Sequence, residues 1–164
     1  MALFDAFLKL DGIKGESVDS RHKGEIDILS FSWGASQAAV QTPGGGGGAG
    51  KVHFQDIQFV KKIDPASPLL MLRCVSGEHI KEANFAVRKA GGEQLEYLKI
   101  KLTDVLLSSY KEHGNTQKGD ETPLEQISLN FSKVEYEYQP QGADGKARGG
   151  PIVAGWDVKG NVKA

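Results

Sequence analysis

The sequence predicts a mainly β protein: a small β-barrel of two sheets with one short α-helix and an extended glycine-rich loop. Three observations lead there. Apolar residues recur at every second position over most of the chain, the period of strands. The 21 glycines punctuate those runs, five of them consecutively at Gly44 to Gly48, as turns and loops between strands require. Only the stretch from Asp64 to Gly77 carries both a helix start and a helix stop.

Taken in order, Ala2, Phe4, Ala6, Leu8 and Leu10 mark a first strand, with a turn at Asp11-Gly12. Glu25 to Gly34 reads as a second, with Leu29, Phe31 and Trp33 on an apolar face and Ser30, Ser32 and Gly34 on a small, polar one. Thr42-Pro43 and the glycines up to Gly50 cannot pack a core, which predicts an exposed, flexible loop. Lys51 to Lys61 is a strand with Val52, Phe54 and Val60 on one parity and Ile57 and Phe59 on the other. Such a strand is buried twice or touches a neighbour.

Asp64 as N-cap and Pro65 at the first helical position open a helix that Gly77 ends. Because Leu69, Leu70, Met71, Leu72 and Val75 cover most of its circumference, it is expected to be largely buried against a sheet or a partner. Ala83, Phe85 and Val87 form the next strand, ended by Gly91-Gly92. Gln94 to Ser109 is the longest candidate, with Leu98, Ile100, Leu102 and Leu106 facing in and Lys99, Lys101 and Thr103 facing out. His113 to Thr122 turns the chain. From Ile127 to Tyr138 the apolar parity switches, which predicts a bulge near Ser132-Lys133 and a strand able to curl. After the Gln141 to Gly150 loop, Ile152, Ala154, Trp156 and Val158 supply a last strand. That gives seven or so strands and no internal repeat in one domain, residues 1–164.

Composition narrows the function. Twenty basic residues against 21 acidic ones, a formal net charge of -1, lack the positive field behind non-specific nucleic-acid binding. The single cysteine, Cys74, has no partner for an internal disulfide and falls in the apolar helix, where a buried thiol behaves as a small hydrophobe. Met1 to Leu10 has neither a basic start nor a small-residue cleavage site, so any export is expected to be of folded protein by a route other than Sec. No apolar run approaches the roughly 20 residues that span a bilayer, so no membrane insertion is expected.

Catalytic apparatus is not visible. Gly45 to Gly50 followed by Lys51 matches most of the phosphate-loop pattern G-x-x-x-x-G-K-[ST], but Val52 stands where the hydroxyl belongs and a strand follows where a helix is needed. Gly45, Gly47 and Gly50 match G-x-G-x-x-G as any polyglycine would. His22, His53, His79 and His113 are isolated along the chain, and a metal site needs three or four convergent ligands. There is no G-x-S-x-G elbow, and Cys74 has no apparent base beside it. Asn130-Phe131-Ser132 spells a glycosylation acceptor, but mid-strand. The reading is therefore a non-enzyme with no cofactor and no metal. Two alternatives stay open: a secreted enzyme or toxin on a β-barrel scaffold, against which the scattered titratable groups argue, and a monomeric ligand-binding barrel. The Ser30 and Ser32 face is either an ordinary solvated side or a smooth polar wall suited to a lumen that holds cargo without sticking to it.

Several segments carry a resemblance: G-E-S at Gly15, E-I-D-I-L-S-F-S-W-G at Glu25, the polyglycine loop running into K-V, F-V-K-K-I-D at Phe59, V-R-K-A-G-G at Val87, Y-Q-P-Q at Tyr138 and G-W-D-V at Gly155. In order and spacing the chain resembles the haemolysin-coregulated proteins, the Hcp family of the bacterial type VI secretion system, over nearly its whole length. The resemblance implies a small two-sheet barrel with a helix at its side. It implies that six copies close into a ring, that rings stack into a tube, and that a contractile sheath expels the tube behind a spike of the VgrG type. It implies effector proteins riding in the lumen, and a protein held in the bacterial cytoplasm before firing and then secreted. The family's cargo-contacting serine corresponds to Ser32, by its place in S-F-S-W-G, with Ser30 on the same face. The loop that reaches the adjoining ring corresponds to Val40, Gln41, Thr42, Pro43, Gly44, Gly45, Gly46, Gly47, Gly48, Ala49 and Gly50.

Overall fold

The computed structural model describes residues 3–39, 49–117, 119 and 121–164. Eleven strands and one helix lie among them: β1 Phe4–Leu10, β2 Ile26–Ile28, β3 Ser30–Ser32, β4 Ala35–Ala39, β5 Ala49–Phe54, β6 Ile57–Lys62, α1 Ser67–Ser76, β7 Ile80–Lys89, β8 Glu96–His113, β9 Leu124–Tyr138, β10 Ile152–Asp157 and β11 Val162–Lys163. The number exceeds seven because the second and third strands read from the sequence are each cut, and short strands β4 and β11 add to them. No helix among the described residues is long and apolar enough to cross a membrane.

Every pairing among the described strands is antiparallel. One sheet runs β11-β10-β9-β8-β7-β1-β2, with β6 joined to β9 and β3 to β6; β4 and β5 form a separate two-stranded sheet. The long strands β8 and β9 belong to two layers. Their first layer pairs Glu96 to Val105 of β8 with β7 and Lys133 to Tyr138 of β9 with β10. In the second, Leu124 to Leu129 of β9 pair with β6, while β8 beyond Val105 has no strand on its other side among the described residues. The sheet thus folds over on itself around one core, where Phe85 of one layer meets Phe31 and Phe59 of the other at ring-centroid distances of 4.8 and 5.0 Å.

The fold line is Asp104 and Ser132. Asp104 adopts φ +53°, a left-handed backbone that Asp tolerates better than most residues. Core-facing positions on β8 accordingly switch from Ile100 and Leu102 to Val105 and Leu107, so Leu106, expected inside, is only half-buried. On β9 they switch at the same level, between Phe131 and Val134. The parity change near Ser132-Lys133 is therefore present, but it is not the expected bulge: register is unbroken from Thr103↔Lys133 to Val105↔Phe131, and the shift falls between Leu107 and Ser109. The Asp104 carboxylate accepts from Lys159 Nζ (2.8 Å) and Ser132 Oγ (2.7 Å) and meets His79 Nδ1 (2.6 Å). These contacts, Lys159 first, hold its carboxyl well below the usual carboxylate range.

A second break corrects the reading of Glu25 to Gly34. Ile26 and Ile28 point into the core, Leu29 donates its N–H to Val60 O (2.8 Å) and turns outward, and Phe31 points in again. Leu29 is 49% exposed and not on the Phe31 face. Lys51 to Lys61 likewise breaks at Gln55-Asp56, giving β5 to the small hairpin and β6 to the core.

The helix begins at Ser67, later than Asp64-Pro65 suggests. Asp64 Oδ1 accepts the Ala66 N–H (2.9 Å) in a turn before the helix, and Pro68 occupies the first helical turn. Gly77 caps the end at φ +69° with its N–H on Arg73 O, the left-handed cap glycine favours. Of the two covers expected for this helix, a sheet or a partner, the sheet takes only one face. Only Ser67 and Leu70 are buried, Cys74 is half-buried, and Leu69, Met71, Leu72 and Val75 lie exposed. The helix packs one face on β8, and a single subunit has no further layer among the described residues to cover the rest.

Candidate functional site

The second layer, built of β3, β6, the first half of β9 and the last part of β8, has one face on the core and one on solvent. Strand alternation decides which residue goes where. Phe31, Phe59 and Ile127 pair across the core side. The residues between them form rows on the outer side. Ser32↔Gln58, Gln58↔Ser128 and Ser128↔Ser109 make one row; Ser30↔Val60, Val60↔Gln126 and Gln126↔Lys111 make the next; Lys62↔Leu124 and Leu124↔His113 make the last.

The centre of this face is uncharged and joined sideways by hydrogen bonds. Ser109 Oγ lies 2.7 Å from Ser128 Oγ, and Gln126 Nε2 donates to Gln58 Oε1 at 3.2 Å. At one end Asp56 accepts from Ser108 Oγ (2.6 Å) and Asn130 Nδ2 (2.9 Å), beside the exposed His53. At the other end stand the exposed Lys62, Lys111 and His113. Amide and hydroxyl groups satisfied by one another present a hydrated, weakly adhesive surface, because a partner must displace water without gaining apolar area.

Ser30 and Ser32, read from the sequence, are both exposed on this face. Gln58, Gln126, Ser128 and Ser109 join them there and were not singled out in the sequence; their signal was polar residues alternating with Ile57, Phe59, Ile127 and Leu129. Val40 to Gly48 of the loop lie outside the described residues. Its last two, Ala49 and Gly50, open β5, which continues with β4 as a hairpin. Two histidines away from this face are drawn to carboxylates. His22 is buried between Glu25 (Nδ1 to Oε2, 2.9 Å) and Glu96, stacked on Phe7, and His79 meets Asp104.

This fold has counterparts among known proteins. A family model described as "Type VI secretion system effector, Hcp" matches residues 7–138. The chain belongs to the Hcp family. It is similar to protein hcp1 of Pseudomonas aeruginosa, with 49% identity over 161 residues, 98% of each chain. Among solved structures, Hcp1 from Salmonella typhimurium is 39% identical, covering 99% of this chain and 100% of its own, with a TM-score of 0.83. A structure described as a type six secretion system protein superposes at a TM-score of 0.91, with 34% identity over 98% of this chain and 99% of its own. The Hcp match spans both layers, β3 and α1 included, and the mainly β architecture is that of the family.

Proposed function

We propose that the chain is the tube subunit of a type VI secretion machine, closing into six-membered rings whose bore is lined by the Ser30 and Ser32 face. One observation carries this reading: among the described residues, the second layer is a short sheet with a polar outer face and two open edges. Strand β3 pairs only with β6, and β8 beyond Val105 pairs only with β9. Open edges invite strand addition. A head-to-tail contact that closes joins such sheets, four strands per copy, into a continuous barrel with no edge left. Two apolar surfaces on separate elements support a head-to-tail contact as well: Leu69, Met71, Leu72 and Val75 on α1, and Ile152, Val153 and Val162 at the β10-β11 edge.

Rings then stack through the segment from Val40 to Gly50, whose last two residues open β5. Ordering a glycine-rich segment costs on the order of 1–2 kcal/mol per residue, so each loop contact is weak and several must act together. The stacked tube serves as conduit and chaperone for effector proteins, works with a VgrG-type spike and a contractile sheath, and passes from the bacterial cytoplasm to the outside by a route other than Sec. A neutral amide and hydroxyl wall suits such a bore. Replacing Ser32 with Glu tests the assignment. Rings should persist while effector retention falls; failure to form rings would move Ser32 to an interface and remove it from the bore.

A further inference from the structure

We propose that the bore selects cargo by charge and seats an acidic segment or surface at its Lys62, Lys111 and His113 end; this rests on reading the β3-β6-β9-β8 face as the bore wall. The three basic side chains follow from register. Lys62 and His113 flank Leu124 in one cross-strand row, and Lys111 ends the row above it. All three are exposed. The same alternation sends the neighbouring carboxylates to the opposite side: Glu125 is fully buried on Lys61, and Glu112 takes the Tyr110 hydroxyl. Glu121, exposed in the connection beyond the strand ends, shares a concavity with His113 and offsets it, so the two lysines carry the positive charge of this end. The carboxylate at the far end of the face, Asp56, already accepts from Ser108 and Asn130. Along one strand length the wall therefore runs from an engaged carboxylate, with Lys51 and His53 of the hairpin beside it, through a neutral centre to the two exposed ammonium groups of Lys62 and Lys111. A closed ring repeats this gradient in every copy, and charges lining a concave wall sum into a focused field that favours one sign of guest.

Fluorescence anisotropy on purified rings, with labelled ten-residue polyglutamate and polylysine peptides as probes and light scattering on the same sample, tests this. The glutamate peptide should bind at least about tenfold more tightly than the lysine peptide at roughly 50 mM salt, the gap closing as salt rises. The double variant Lys62→Gln, Lys111→Gln should keep the ring and weaken glutamate-peptide binding about fivefold or more. Lys99→Gln with Lys101→Gln, exposed on the outward face of the other layer, should change nothing. Equal binding of both peptides, or loss of binding in the Lys99, Lys101 variant alone, overturns the inference while leaving the ring reading intact. A protein that is monomeric by light scattering overturns the ring reading and the charge selection with it.

Discussion

Lys61 and Glu125 form an ion pair, Nζ to Oε1 at 3.0 Å, in which both side chains are completely buried. The ammonium also reaches Asp64 Oδ1 at 2.8 Å and the Lys62 carbonyl at 2.9 Å. All of its donors are thereby engaged at the point where β6, β9 and the start of α1 meet. The carboxylates need that cation, since unpaired charge in a protein interior is costly.

Replacing Lys61 with Met should therefore cost about 3–5 kcal/mol of unfolding free energy in urea titrations, because it strands Glu125 and Asp64. Adding Glu125→Leu to it should recover part of that loss, since apolar packing then replaces one of the stranded charges. The neighbouring Lys62→Met, on the exposed side of the strand, should stay within about 0.5 kcal/mol.

Acid should release a second tie. Arg88 is buried over the Phe7 ring at 4.9 Å, with Nη1 on Asp19 Oδ1 (3.0 Å) and Nη2 on Asp5 (3.3 Å). The Arg88 guanidinium, helped by the N–H groups of Arg21 and His22, holds the Asp19 carboxyl down at about 2. Its folded value lies below that of an unfolded Asp, about 3.9. The stabilisation is thus present in full above that value and is lost as pH falls toward 2. In Asp19→Asn, stability measured by denaturant titration should fall less steeply between about pH 4 and pH 2 than in the parent. An unchanged slope would remove Asp19 from the acid response.

Gly15 is fixed by space and not by its dihedral angles. A Cβ there would lie 2.5 Å from Glu25 O and 2.8 Å from Ile26 Cα, both main-chain atoms that cannot move aside cheaply. Gly15→Ala should cost about 1–3 kcal/mol, whereas Gly150→Ala, with open space around it, should stay within about 0.5 kcal/mol. Thermal or urea unfolding of the two variants gives the comparison.

What the sequence could convey follows from these cases. Alternation revealed most strands and the outward-facing Ser30 and Ser32, and a lone glycine marked the helix stop at Gly77, because each depends on neighbours a few residues away. Leu29, Asp104 and the Gln55-Asp56 break were hidden. Each is a single residue or pair at which the chain changes layers, and the adjacent apolar residues read equally well on either parity. The run Val105, Leu106, Leu107 shows that ambiguity, since only the φ of Asp104 decides which two point inward. For the helix the sequence left the cover open, a sheet or a partner, because an apolar circumference says that something covers it and not which subunit supplies it. The rows Ser32, Gln58, Ser128, Ser109 and Lys62, Leu124, His113 assemble residues distant in the chain, and one sequence carries no register between strands.

Light scattering on the purified protein at micromolar concentration tests the central claim, ring closure, most directly. A discrete species near 106 kDa, six times the 17.7 kDa chain, is the predicted result. A single species at 17.7 kDa across that range would contradict it, leaving the open edges of β3 and β8 without a neighbour.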